Sequence, residues 1–495
     1  MPRAEPSRWA VLALLGTAQL MVVLDATIVN IALPSAQREL HFSTDSRQWV
    51  ITAYALAFGS LLLLGGKLGD LFGRKRTFVA GLIGFSAASA IGGLAQSFGM
   101  LVAARTLQGA FGALLAPSAL SLLTVTFAGS PDRAKAFGIF GAIAGGGASV
   151  GLLLGGLLTE VLSWRWCLYV NVVIAVPTAL IAVRLLRNQA QAERPRIDMP
   201  GVLSASGGLF ALVYGFSSAE TSSWSDPVTI AALCSSVALL SLFVWIESRA
   251  PNPLLPLHIV RDRARGGAYA SIALAGSGVF GVFLFLTYYM QESLGFSPLK
   301  TGVAFLPLTI AIVITSTTVQ TQLVHRYGAR RLVAGGMALG VAAMVSFTRL
   351  SPGGTYTADV LPGLIVIGLG MGFIFAPAFS TATLGVASTE AGVASATVNT
   401  SQQVGGSIGT ALLSTIFASA AASYAAAHTP SRGLVNAAAI HGYTTAFWWA
   451  AAVFAVGLLV ALTVLPSPSG AREIPTVTAA GGDLHEAGRP SEEAA

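Results

Sequence analysis

The sequence predicts an all-α polytopic membrane protein of fourteen transmembrane helices, built as two six-helix halves with two extra helices between them. Three observations predict this class. Of 495 residues, 54% are hydrophobic and only 10% charged, where soluble domains carry about 25% charged residues. The mean hydropathy is +0.72. Apolar runs of about 20 residues, the length that crosses a bilayer, recur along the chain, and the cationic residues gather on alternate connections between them.

The first run is 9–33. It is too long for a signal-peptide core, lacks a small-residue cleavage site and is followed by further runs, so it reads as a retained helix. Runs at 48–65, 77–96, 100–127, 136–158 and 164–184 complete a first set of six. Two more lie at 200–218 and 227–246. A second six follows at 268–290, 301–322, 332–350, 360–380, 393–418 and 446–465. All should be helical, because lipid offers no partner to a free backbone N–H or C=O. The many glycines suit close helix contacts in a membrane.

An even number of spans puts both termini on one side. With the N-terminus inside, the inner segments hold 21 Lys and Arg residues and the outer segments 6, with Arg105 alone inside a span. That bias predicts cytoplasmic termini in the cell membrane. The net charge of +7 is then spent on orientation and on inner-leaflet lipid, and no nucleic acid is expected as a partner. The domain limits follow: residues 1–190 form the first half, 191–266 the inserted helices and linkers, and 267–466 the second half. Residues 467–495, rich in Pro, Gly, Ala and Glu, read as a disordered cytoplasmic tail.

The halves share a repeat. After span 2 the chain reads Gly66-Lys67-Leu68-Gly69-Asp70-Leu71-Phe72-Gly73-Arg74-Lys75-Arg76, and after span 10 Leu323-Val324-His325-Arg326-Tyr327-Gly328-Ala329-Arg330-Arg331. Aligning Gly73 with Gly328 pairs Phe72 with Tyr327 and sets Asp70 against His325. Each stretch reads as a short, glycine-bent, basic loop. Repeated halves are a transporter signature, with the substrate site expected between them near the midplane.

Asp25 is the most informative residue. It lies in Leu24-Asp25-Ala26-Thr27-Ile28-Val29-Asn30, inside an apolar span, where a charge costs at least ~2.5 kcal/mol on insertion scales and marks a functional-site candidate. An acid whose charge is costly there fits a proton carrier; the bland reading is an acid tied to a neighbouring cation or hydroxyl. Asp25 lies roughly 24 Å in from Trp9, and Arg105 roughly 8 Å in from Met100 on the opposite side. Both fall in the outer half of a ~30 Å core, so a direct or water-bridged pair is expected. Arg105 otherwise reads as a structural cation on backbone carbonyls. Asn30, Gln108, Asn399 and Gln402 are polar residues within spans, as is Asn171, and bond between helices or line a substrate cavity. Phe283 and Tyr288 belong to an aromatic span that faces lipid or lines an apolar cavity. Cys167 and Cys234 both sit in apolar runs and suggest neither a disulfide nor a metal site. Gly66-Lys67 is followed by Leu68 rather than Ser or Thr, so there is no phosphate-cradle motif and ATP is not expected as an energy source.

With these residues in view, the chain resembles the major facilitator superfamily, specifically its 14-span drug:proton antiporter branch, over all but the tail. Leu24 to Pro34 is similar to the branch's first-helix motif. Gly66 to Arg76 is similar to the superfamily's loop motif, with Leu71 where an arginine is usual. Leu101, Arg105, Gln108, Gly109 and Gly112 resemble the fourth-helix motif. Gly141, Gly145, Gly147, Gly151, Gly155 and Gly156 resemble the antiporter motif, with Leu152 where proline is usual. Trp164-Arg165-Trp166 and Asn171 also resemble the branch, with Val173 in another proline's place. Ser297-Pro298 with Gly302, and Gly392 through Gly409, resemble second-half signatures.

The resemblance implies an alternating-access carrier that exports bulky, often cationic or amphipathic drugs. It implies no cofactor, with the proton gradient as energy source, proton coupling through Asp25 and Arg105, and a monomer without enzymatic activity. Gly66, Gly69, Asp70, Gly73, Arg74 and Lys75, with Gly151, Gly155 and Gly156, are then gating residues; simple charge retention on the inner side is the other reading for the basic ones. A dedicated exporter of one self-made metabolite or antibiotic is an alternative. A non-transporting sensor, or a membrane-embedded enzyme needing a second catalytic group near Asp25, is more remote.

Overall fold

The computed structural model describes residues 7–42, 44–186, 198–429 and 433–466. The tail read as disordered, 467–495, lies outside the described residues, as do the side chains of Asn30 and His325. The span-length helices are α1 (Arg8–Leu40), α2 (Thr44–Phe72), α3 (Arg74–Gly93), α4 (Phe98–Thr126), α5 (Arg133–Val161), α6 (Trp166–Leu185), α7 (Met199–Thr221), α8 (Pro227–Glu247), α9 (Arg263–Tyr288), α10 (Leu299–Leu323), α11 (Val324–Phe347), α12 (Leu361–Ala382), α13 (Ala391–Ala427) and α14 (Leu434–Thr463). Among the described residues, thirteen of these are long and apolar enough to cross a membrane. The fourteenth, α3, has 20 residues; its apolar character is diluted by Arg74, Lys75 and Arg76 and by four glycines and two serines.

Two expected loops are mostly helix. The stretch Gly66–Phe72 forms the last turns of α2, and Leu323–Tyr327 continues from α10 into α11. Each stretch breaks at one glycine: Gly73, between α2 and α3, with φ 95 and ψ 128, and Gly328, a kink within α11, with φ 74 and ψ 159. Both angles lie where a Cβ clashes with the backbone, so the chain turns at the residue without one. The two residues aligned from sequence are thus also the two structural breaks.

Packing repeats in the same way. Helix α1 lies against α4, α5 and α6, and α9 against α12, α13 and α14. The neighbours α2–α4, α3–α4 and α3–α6 recur as α10–α12, α11–α12 and α11–α14. Across the seam, α13 packs on α2 and α4 while α5 packs on α10 and α12. Exchanging the two sets of six helices maps one seam onto the other. The pair α7–α8 stands outside this scheme, packed together and set by α7 against α2 and α13. Large apolar side chains such as Leu180, Leu203 and Leu459 are more than half exposed, as a lipid-facing surface requires.

Candidate functional site

The end of the bundle where α1 begins is here called the basal end. Asp25 lies midway along α1 and is fully buried. What brings α1 close to its neighbours is glycine on α5. A Cβ on Gly151 would sit 2.9 Å from the Leu24 carbonyl, and one on Gly155 would sit 2.9 Å from the side chain of Ile28. These glycines were expected to serve gating; they bring α5 onto the stretch of α1 that bears the acid. Gly156 is buried beside them, and α5 runs unbroken through Leu152.

Four helices converge on the carboxylate. Arg105 of α4 donates from Nη1 to Asp25 Oδ2 at 2.7 Å. Asn171 of α6 donates from Nδ2 to Oδ1 at 2.6 Å, and Gln108 of α4 donates to the same oxygen at 3.1 Å. Gln108 Nε2 also donates to Ser89 Oγ on α3, and its Oε1 accepts from Arg105. Arg105 donates further to the Val50 carbonyl of α2 and lies 4.3 Å from the Tyr54 ring centroid. Arg105 is 2% exposed and Gln108 and Asn171 are fully buried, so the pair is shielded from solvent and its attraction is little screened. The pair and the Gln108 bond both tie α1 to α4.

Gln108 therefore differs from the cavity role expected for it: both ends of its amide are engaged inside the ion-pair cluster. Asn171, Ser89 and Tyr54 join the site without having been singled out for it. A polar residue in an apolar span was the available signal for Asn171, but nothing in the spacing ties it to α1. Asn399, Gln402, Phe283 and Tyr288 do not bond to the Asp25 cluster among the described contacts. Asn399 donates to the Ser395 carbonyl of its own helix, and Gln402 is half-buried on α13 against Gly276 of α9. Phe283 packs on Phe305 with ring centroids 5.2 Å apart, and Tyr288 is exposed.

A second cluster closes the seam at the basal end. Asp70 accepts from the backbone N–H groups of Gly392 and Val393 at 3.0 and 3.1 Å, capping α13 from α2. Arg74 pairs with Asp70 at 3.0 Å and also donates to the Ser388 carbonyl. Gly66 and Gly392 let the helices touch: a Cβ at Gly66 would fall 2.6 Å from Ala396, and one at Gly392 2.7 Å from the Asp70 carboxyl. Lys75 donates within its own half, to the Val183 carbonyl. Across the other seam, Arg133 at the start of α5 donates to Thr383 Oγ1 at 3.1 Å, at the C-terminus of α12. Each group has the sign that the facing helix end favours. Among the described residues, no group of three or more metal-ligating side chains occurs.

A family model described as Major Facilitator Superfamily matches residues 15–410. The chain belongs to the major facilitator superfamily. Its relatives include antibiotic resistance and export proteins. It is 49% identical to the puromycin resistance protein pur8 of Streptomyces alboniger over 464 residues, 93% of this chain and 91% of that one. It is 38% identical to the cephamycin export protein CmcT of Amycolatopsis lactamdurans, covering 82% and 84% of the two chains. It is 35% identical to the tetracenomycin C resistance and export protein of Streptomyces glaucescens, covering 87% and 81%. Among solved structures, the human organic anion transporter MFSD10 superposes with a TM-score of 0.63 at 14% identity, over 92% of this chain and all of that one. That likeness concerns the fold. As a member of the superfamily the chain is a multi-pass membrane transporter, and its two clusters are a buried acid in the first half and a closed seam between the halves.

Proposed function

We propose that this protein exports antibiotics or other toxic small molecules from the cell in exchange for protons, by alternating access. Its basal end faces the cytoplasm, where the Lys and Arg excess belongs. Residues 1–190 and 267–466 act as the two moving units, with 191–266 between them. The transporter works as a monomer on the proton gradient, with no cofactor and no ATP.

The observation that carries this reading is the buried Asp25–Arg105 pair. Asp25 is the proton carrier and Arg105 the group that holds it charged until conformation or substrate loosens the pair. A proton on Asp25 removes the ion pair between α1 and α4. Movement of α1 bears on α5 through Gly151 and Gly155, and α5 bears on the second half through Gly141 against Ala376 and Gly146 against Thr309. Asp70, Arg74 and Arg133 close the cytoplasmic end during the outward-open part of the cycle.

A second reading, export of one antibiotic, is favoured by the relatives, three of which carry a single antibiotic's name. Efflux from cells given puromycin, cephamycin C, tetracenomycin C and ethidium separates the two, run with and without a protonophore. Broad export predicts several active substrates, dedicated export one. The Asp25→Asn variant runs alongside and should lose protonophore-sensitive efflux of every active substrate. Full proton dependence in that variant removes Asp25 from the mechanism.

A further inference from the structure

A carboxylate and a carboxylic acid ask different things of their surroundings. The carboxylate only accepts hydrogen bonds, whereas the acid also carries one O–H that needs an acceptor. Each side chain bonded to Asp25 is a donor: Arg105 on one oxygen, Asn171 and Gln108 on the other. The cluster is thus set for the charged acid. The ionisable groups around it are Arg105 on α4, Tyr54 on α2 and Cys167 on α6. Helix α3 brings Ser89, and α5 approaches this stretch of α1 through Gly151 and Gly155.

Two acceptors in the cluster have no partner, the side-chain oxygen of Asn171 and the hydroxyl of Tyr54. The Gln108 oxygen is already engaged, accepting from Arg105. The Tyr54 hydroxyl is fixed at the end of a ring packed under the guanidinium. Asn171 is already on the carboxylate at 2.6 Å. Turning its terminal amide over puts Oδ1 where Nδ2 now lies. A residue kept only to join two helices would have both ends of its amide engaged, as Gln108 has. Asn171 is engaged at one end, and its idle end is the one the protonated acid requires.

We propose that Asn171 is a positioning residue that serves both charge states of Asp25: its N–H holds the carboxylate, and after proton uptake the amide reverses and its oxygen accepts the new O–H. This rests on Asp25 being the proton carrier. In the step, one proton from water forms one O–H bond on Asp25 Oδ1. The hydrogen bond from Asn171 Nδ2 is exchanged for one to Asn171 Oδ1. No other covalent bond changes and no electron moves. Arg105 keeps the Val50 carbonyl, the Gln108 oxygen and the Tyr54 ring as partners.

Infrared difference spectra of the full-length protein in lipid nanodiscs, between high and low pH, test this. The carboxylic C=O band of Asp25 is the one lost in Asp25→Asn. In Asn171→Leu that band should move to the higher frequency of an acid whose O–H has no acceptor. Asn171→Thr, whose hydroxyl donates and accepts, should hold it nearer the wild-type position. In proteoliposomes, proton-driven puromycin transport by Asn171→Leu should fall about tenfold, as for one buried hydrogen bond to a charged group. Proton-independent puromycin counterflow should persist. Asn171→Ala makes the same measurement if the leucine variant does not fold. An unmoved band, or counterflow lost in step with proton-driven transport, overturns the proposal while leaving Asp25 as carrier. A wild-type spectrum from which Asp25→Asn removes no band overturns the carrier reading and this one with it.

Discussion

At the scale of single residues, the site turns on a buried charge that is stable only when paired. Removing one partner of such a pair strands the other and costs about 3–5 kcal/mol, whereas removing both leaves no orphan. Arg105→Leu should therefore lower the thermal midpoint of the purified protein in detergent far more than the double variant Asp25→Asn, Arg105→Leu. A double variant no more stable than Arg105→Leu would mean that the pair is not what holds α1 to α4. Glu39, at the far end of α1, tests a different balance. Hydrogen bonds from Arg165 and Trp164, at 2.8 and 2.6 Å, hold its carboxyl below the usual glutamate value. A depressed value means the staple stabilises at and above the ordinary carboxylate range of about 4.3 and is lost as pH falls through the lowered value. The thermal midpoints of wild type and Glu39→Gln should differ at neutral pH and converge in acid. The gap should be small, under about 1 kcal/mol, because the carboxylate is half exposed and screened by solvent. Asp25 and Arg105 were legible because a charge in an apolar span is costly and rare. Glu39 was not, because an acid at a span end looks like any solvated residue until the fold brings Trp164 and Arg165 to it.

At the scale of elements, the spans were legible because lipid forces each apolar run into a helix. Their ends were less so. The basic stretch after span 2 looked like a loop, but helix needs only hydrogen-bonded backbone, and Gly66 through Phe72 supply it until Gly73 turns the chain. Of the glycines that suggested a bend, Gly73 makes it, while Gly66 lets α2 lie against α13. Adding a single methyl tests this. In Gly392→Ala the new Cβ would lie 2.7 Å from the Asp70 carboxyl, and overpacking of this kind costs about 1–3 kcal/mol. The seam should part and drug efflux fall. A cysteine at the buried Ala396, in a background lacking Cys167 and Cys234, should then react with a water-soluble thiol reagent added at the basal end. Unchanged labelling would show that α13 accommodates the methyl without parting from α2. The inserted pair is held at both ends, by Lys67 Nζ donating to the Pro253 carbonyl at 2.8 Å and by Thr52 with Ser217 at 3.0 Å on α2, and by Trp224 donating to Thr415 at 2.8 Å on α13. The hydropathy of α7 and α8 announced two extra spans, but no residue in them announced which seam they would cover.

At the scale of the whole molecule, two helix sets related by exchange meet along two seams, and both are closed at the basal end. The seams use opposite charges. Asp70 caps the positive N-terminal end of α13, while Arg133 sits at the negative C-terminal end of α12. The repeat in sequence anticipated equivalent positions but not this inversion, because the residue opposite Asp70 is His325, and Arg133 lies in a different helix altogether. If the halves move as rigid bodies, neither seam can open alone, and both clusters bias one equilibrium. A cap of this kind contributes roughly 1 kcal/mol, about a factor of five in population. Asp70→Asn and Arg133→Met should each raise the fraction open at the basal end about fivefold, and the double variant should raise it by the product of the two. Pulsed electron-spin distances between labels on α2 and α13, and separately between α5 and α12, measure both seams in each variant. Each single variant should lengthen both distances together. A variant that lengthens only the distance across its own seam would show the halves bending rather than rocking, and the two clusters would then be independent latches.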